Sequence, residues 1–155
     1  MSARKRSQKR PKVTPSKSAT IARPPETNRG ASAPPHEHGE PGSLEEFRQF
    51  RERMNREILG EGNLVINRFF ALDTRTYEAG ALDVKTKELL GLVASLVLRC
   101  DDCVTYHLTR CAEERVTRAQ LFESLSVGLV VGGSIVIPHL RRAVDRWSEL
   151  ERLAR

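Results

Sequence analysis

The chain has 155 residues, room for one domain of ordinary size, and carries 26 Lys/Arg against 20 Asp/Glu. The charge is uneven: residues 1–42 hold seven of the eight prolines with nine basic and three acidic side chains, whereas residues 43–155 hold 17 of each sign. The basic balance therefore belongs to the first 42 residues and excludes a strongly basic folded domain, and no uncharged apolar run is long enough to span a bilayer.

Residues 1–42 contain few large apolar side chains. Such a segment buries too little surface to offset the entropy of ordering its backbone, and its prolines remove helix and ladder hydrogen bonds. A disordered tail is expected. Its run RKRSQKRPK, Arg4 to Lys12, can attract nucleic-acid phosphates or an anionic membrane surface, but a solvated tail without a specific partner accounts for it more simply. Repeated prolines work against the amphipathic helix of a transit peptide, and no secretory apolar core follows the basic residues. A soluble, cytoplasmic protein without membrane contact is expected, and there, close cysteines point to catalysis or metal rather than to a structural staple.

Ser43-Leu-Glu-Glu46 is a capping box, so a helix is predicted to start there, with Leu44, Phe47, Phe50, Met54 and Ile58 at helical spacing until Gly60 and Gly62. Asn63 to Thr76 is ambiguous: a short helix or irregular segment whose Phe69-Phe70 pair would cap the core. Asp83 offers the next N-cap, and VKTKELLGLVASLVLR after it reads as a buried helix. Polar and apolar positions from Asp101 to Glu114 alternate in a helical manner. Thr117-Arg-Ala-Gln120 is a second capping box, opening a helix that Gly132-Gly133 break. Ser134 is expected to cap the last helix, with Pro138 in its first turn and Leu140, Val144, Trp147, Leu150 and Leu153 down one face. No internal repeat and no convincing strand is present, so the fold class is all-α, a bundle of about five or six helices over residues 43–155. Val127 to Ile137 is heavily apolar for so small a domain, so part of that surface is expected to close against another copy of the chain.

Chemistry concentrates in RCDDCVTYHL, residues 99–108. At a helix start, Cys100 and Cys103 would meet unpaired N–H groups and the positive end of the dipole, which favour a thiolate. Their i,i+3 spacing is close enough for a disulfide after small adjustment, and His107, four residues beyond Cys103, can exchange a proton with that sulfur. Arg99 adds positive charge, while Asp101 and Asp102 oppose a thiolate. Cys100, Cys103, His107 and Cys111 are ligand types for zinc, but four ligands along one helix face cannot surround a tetrahedral ion, and the spare His36 and His38 lie in the tail. No metal is assigned. Cys111 reads as a small buried hydrophobe, and the Cys100–Cys103 pair with His107 favours redox chemistry. His139 has no evident role beyond a structural or exposed one.

With Glu88 twelve residues before Cys100 and His107 four after Cys103, the chain resembles the AhpD-like alkylhydroperoxidases of the carboxymuconolactone decarboxylase superfamily. The likeness extends to LDVKTKELLGLV, the Gly132-Gly133 helix end and the long closing helix, over about residues 80–150. It implies an all-α fold assembling as trimers or hexamers, no cofactor, and a peroxidatic Cys103 resolved by Cys100. It further implies proton relay through His107 and Glu88, and a dithiol reductant protein of lipoyl or thioredoxin type. Asp102 stands where the best-known members carry a His. Glu88 would lie roughly 18 Å from Cys100 along a straight helix, so a sharp turn near residue 100, or a neighbouring subunit, must bring it to the site. The alternatives are decarboxylation of a small lactone acid, which needs no paired sulfurs, and a non-catalytic oligomer that binds anionic partners through its tail.

Overall fold

The computed structural model describes residues 42–155, and the expectations for the tail lie outside them. Six α-helices follow one another: α1 (Leu44–Gly60), α2 (Leu64–Thr76), α3 (Val84–Leu98), α4 (Asp101–Glu113), α5 (Arg118–Gly132) and α6 (Ile137–Leu153), with a 3-10 turn at Ser134–Val136 before α6. No strand occurs among the described residues.

The helix starts follow from local chemistry. Ser43 and Thr117 form the two capping boxes with Glu46 and Gln120, and the Asp83 carboxylate accepts from the Thr86 N–H at 2.7 Å. Hydrogen bonding from the Thr86 side chain first, and from its N–H second, holds the Asp83 carboxyl below its usual range. α6 departs from expectation: Ser134 makes no side-chain cap, because residues 134–136 wind as a 3-10 turn and the helix begins after it with Pro138 in its first turn.

α3 packs against α4 and α5, and α4 packs against α6. Their shared core contains Leu92 and Leu96 from α3, Leu108 and Cys111 from α4, Leu121 and Leu125 from α5, and Trp147 from α6. α1 joins through buried Leu44 and Phe47, its Leu44 N–H donating to Glu149 of α6 at 3.2 Å. α2 is a correction. It is a full helix capped by Asn63, but it buries no residue; Phe69 is exposed and Phe70 half-buried, so the pair does not cap the core. At the far end, Leu153 is exposed and drops out of the inner face of α6.

The connection between α3 and α4 sets the site. Arg99 takes a left-handed φ of 61° and Cys100 returns to an extended conformation, so the chain reverses within two residues. Residues on either side of residue 99 therefore face one another across the α3–α4 contact. A turn within the same chain, rather than a neighbouring subunit, carries Glu88 back to α4.

Candidate active site

Cys100 is the N-cap of α4, its Sγ accepting the Cys103 N–H at 3.3 Å. The two cysteines form a disulfide with their Cα atoms 5.3 Å apart. They are not equivalent in exposure, since Cys100 is half-buried and Cys103 exposed. Cys111 lies two turns further along α4, fully buried, and desolvation first, then the nearby Glu88 charge, pushes its thiol up to about 12. It is a core residue with no route to the pair's chemistry.

Glu88 occupies the same face of α3 as Leu92, Ser95 and Leu96, and it has no exposed surface. A buried carboxylate must be paired, since desolvation otherwise favours its neutral form. Oε2 accepts from His107 Nδ1 at 2.8 Å and Oε1 from Arg110 Nε at 3.4 Å. Arg110 also holds Glu113 and Glu114. Burial works against the Arg110 cation, but the Glu113 and Glu88 carboxylates outweigh it and its pKa rises. Lys85 and Lys87, the nearby cations on α3, donate instead to backbone carbonyls of Arg115, Thr76 and Glu78.

With Nδ1–H committed to Glu88, His107 presents Nε2 as the nitrogen free to exchange a proton. The Tyr77 hydroxyl stands 3.5 Å from Nε2, at the limit of a hydrogen bond. Desolvation, reinforced by the Glu88 charge, raises the Tyr77 pKa and keeps the phenol protonated. Gly91 makes this close approach possible: a Cβ there would meet His107 Cε1 at 2.5 Å and the Tyr77 hydroxyl at 2.7 Å.

Cys103 and His107 open into a cleft of about 390 Å³ whose α1 wall is Phe47, Phe50, Arg51, Met54 and Ile58. The Arg51 guanidinium sits 4.0 Å over the Tyr106 ring, which ties α1 to α4 beside the cleft. The structure thus brings Glu88 and His107 into contact and places Cys100 and Cys103 together at the start of the same helix. Sequence reasoning missed Tyr77, Gly91, Arg110 and the α1 wall. The amphipathic spacing of α1 and a glycine inside an apolar helix were the available signals; Tyr77 offered none. Among the described residues no cluster of His, Cys, Asp and Glu is arranged to hold a metal ion, and no helix is long and apolar enough to cross a membrane.

A profile of the carboxymuconolactone decarboxylase family matches residues 64–146. A crystal structure of a Thermotoga maritima protein is 55% identical, with a TM-score of 0.70 over 71% of this chain and 96% of that one. A second structure, of a carboxymuconolactone decarboxylase family protein from the same organism described with a possible part in antioxidative response, gives 56% identity and a TM-score of 0.67. It covers 70% of this chain and 92% of that one. An uncharacterised protein of Cupriavidus necator is 37% identical over 54 residues, 35% of this chain, so the match spans about half (48%) of that relative.

Proposed function

The chain belongs to the carboxymuconolactone decarboxylase family, and from that premise we propose that it is a thiol-dependent peroxidase reducing organic hydroperoxides through Cys100 and Cys103. The observation that carries this reading is an exposed Cys103, disulfide-bonded to Cys100, opening into the same apolar cleft as a histidine held by a buried carboxylate. The description of the Thermotoga relative agrees with it.

In the reduced protein His107 Nε2 takes the Cys103 proton, and the Glu88 carboxylate stabilises the imidazolium. The thiolate attacks the terminal oxygen of the hydroperoxide. As the O–O bond breaks, the alkoxide leaves with the proton from His107 as an alcohol, and Cys103 becomes a sulfenic acid. Cys100, whose sulfur faces the N–H of Cys103, attacks as a thiolate, and the sulfenic hydroxyl departs with a proton as water. A dithiol protein of lipoyl or thioredoxin type then attacks exposed Cys103. Cys100 leaves as a thiolate, and the reductant's second thiol releases Cys103, so that two electrons pass from dithiol to peroxide. Copies of the same chain, in a trimer or hexamer, are the further partners of this reading, and the cytoplasm is its compartment.

The test is to count thiols and map disulfides in the reduced protein before and after one equivalent of an organic hydroperoxide. Rapid loss of two thiols as a Cys100–Cys103 bond is expected, as is loss of hydroperoxide consumption in Cys103→Ser; full activity in that variant would end the proposal. The His107–Glu88 pair is by itself acid/base machinery, which keeps a second reading, decarboxylation of a small lactone acid. Turnover of a muconolactone by a Cys100→Ser/Cys103→Ser double variant would establish that reading instead.

A further inference from the structure

Asp101 is the first residue of α4, directly after Cys100. A carboxylate there suits the helix dipole but opposes a thiolate on the adjacent sulfur. α6 answers it. Asp101 Oδ1 lies 2.7 Å from His139 Nδ1, and Oδ2 lies 2.9 Å from an Arg142 guanidinium nitrogen. Arg142 is also 3.2 Å from His139 Nδ1, but a nitrogen that donates to Asp101 cannot also accept from Arg142, so both donors serve the carboxylate. The Asp101 and His139 side chains are only 18% and 17% exposed, while that of Arg142 is 51% exposed. Asp102, Asp145 and Arg146 line the same hollow between α4 and α6.

We infer that His139 and Arg142 are positioning residues for the reactive pair: they hold the first turn of α4 against α6 and neutralise Asp101, so that its charge does not suppress ionisation of Cys100 and Cys103. The inference rests on the reading of those cysteines as a redox pair. A partly exposed ion pair contributes little to stability. Next to Cys100 in sequence, the same charge bears electrostatically on the thiolate, where a change of one pKa unit is tenfold in thiolate fraction.

The experiment is alkylation of the reduced full-length protein by iodoacetamide across pH, with the modified residues mapped. The wild type is compared with Arg142→Gln, Asp101→Asn and the double variant, and thermal midpoints are recorded. Arg142→Gln is expected to slow alkylation of the pair at pH 7 by roughly threefold to tenfold and to move its pH profile upward. Asp101→Asn, which removes the charge but keeps an acceptor, is expected to speed alkylation, and the double variant to follow Asp101→Asn. A purely mechanical tether would make both single variants slower or leave both profiles unmoved, and either result overturns the inference. If Asp101→Asn fails to fold, Arg142→Lys beside Arg142→Gln decides: the retained charge should keep alkylation near the wild-type rate, and a loss equal to that of Arg142→Gln overturns the inference. Alkylation needs no peroxide, so a wild type that alkylates as expected but leaves hydroperoxide intact would count against the peroxidase reading only.

Discussion

Glu88 shows how one residue was half legible. Its spacing to the cysteines was visible in the sequence, but its complete burial was not, because burial depends on the left-handed turn at Arg99 that folds α4 back over α3. Glu88→Gln keeps the volume and removes the charge that, in the proposed relay, would stabilise a His107 imidazolium. Hydroperoxide turnover is expected to fall about a hundredfold, while a chemical oxidant still forms the Cys100–Cys103 disulfide. Unchanged turnover with a folded protein would remove Glu88 from the relay. Gly91 was illegible for a related reason: what it accommodates comes from α4 and from Tyr77. In a helix interior Gly→Ala ordinarily gains about 1 kcal/mol. Here the added Cβ would sit 2.5 Å from the His107 ring, and such overpacking costs about 1–3 kcal/mol. The contact should win, so Gly91→Ala is expected to lower both the thermal midpoint and turnover. Cys111 was read correctly as core. With its thiol pushed up to about 12 from 9.0, folding keeps it protonated while the unfolded chain ionises it. Its contribution is therefore complete below about pH 9 and lost as pH rises toward about 12. Native reduced protein at pH 8 should alkylate at Cys100 and Cys103 and spare Cys111 until denaturant is added; equal labelling of all three would contradict its burial.

At the scale of the element, capping chemistry was the most legible signal, since a capping box is closed by residues within one turn and needs no tertiary context. Both boxes and the Asp83 cap form as read. The element that was misread is α2, whose apolar Leu64, Val65, Phe69 and Leu72 are exposed among the described residues. The second half of α5 exposes Val127, Val130 and Val131, in keeping with the excess apolar load of that stretch. Local pattern alone does not reveal whether such a face meets its own core or another molecule. Contiguous apolar surface of this kind marks an association site, and closure against copies of the chain is the expectation it supports. Val130 is 84% exposed, so Val130→Asp would be nearly neutral in an isolated chain. In an oligomer it buries a charge at the interface. Sedimentation velocity should therefore show the wild type above monomer mass and the variant shifted toward monomer; a monomeric wild type would leave these faces without the proposed partner.

On the scale of the whole molecule, charge divides the chain at residue 42. All of the net +6 belongs to residues 1–42, whereas the site residues and the helices that carry them belong to a stretch with equal numbers of acids and bases. In the proposed reading, chemistry at Cys103 draws on α1, α3 and α4, and the contacts described around the site join residues between 42 and 155. Removing residues 1–41 should thus leave turnover and the thermal midpoint unchanged. Any binding to DNA should behave oppositely, because it would be carried by the nine basic side chains of the tail. Binding that neutralises about six phosphates would weaken with salt at a logarithmic slope of roughly −5, and deletion would abolish it. These two responses separate the enzyme reading from the binding-protein reading in one pair of proteins. Lost turnover on deletion would place the tail in the site. Salt-dependent DNA binding by a full-length chain that leaves hydroperoxide untouched would make the helical domain a scaffold for the tail.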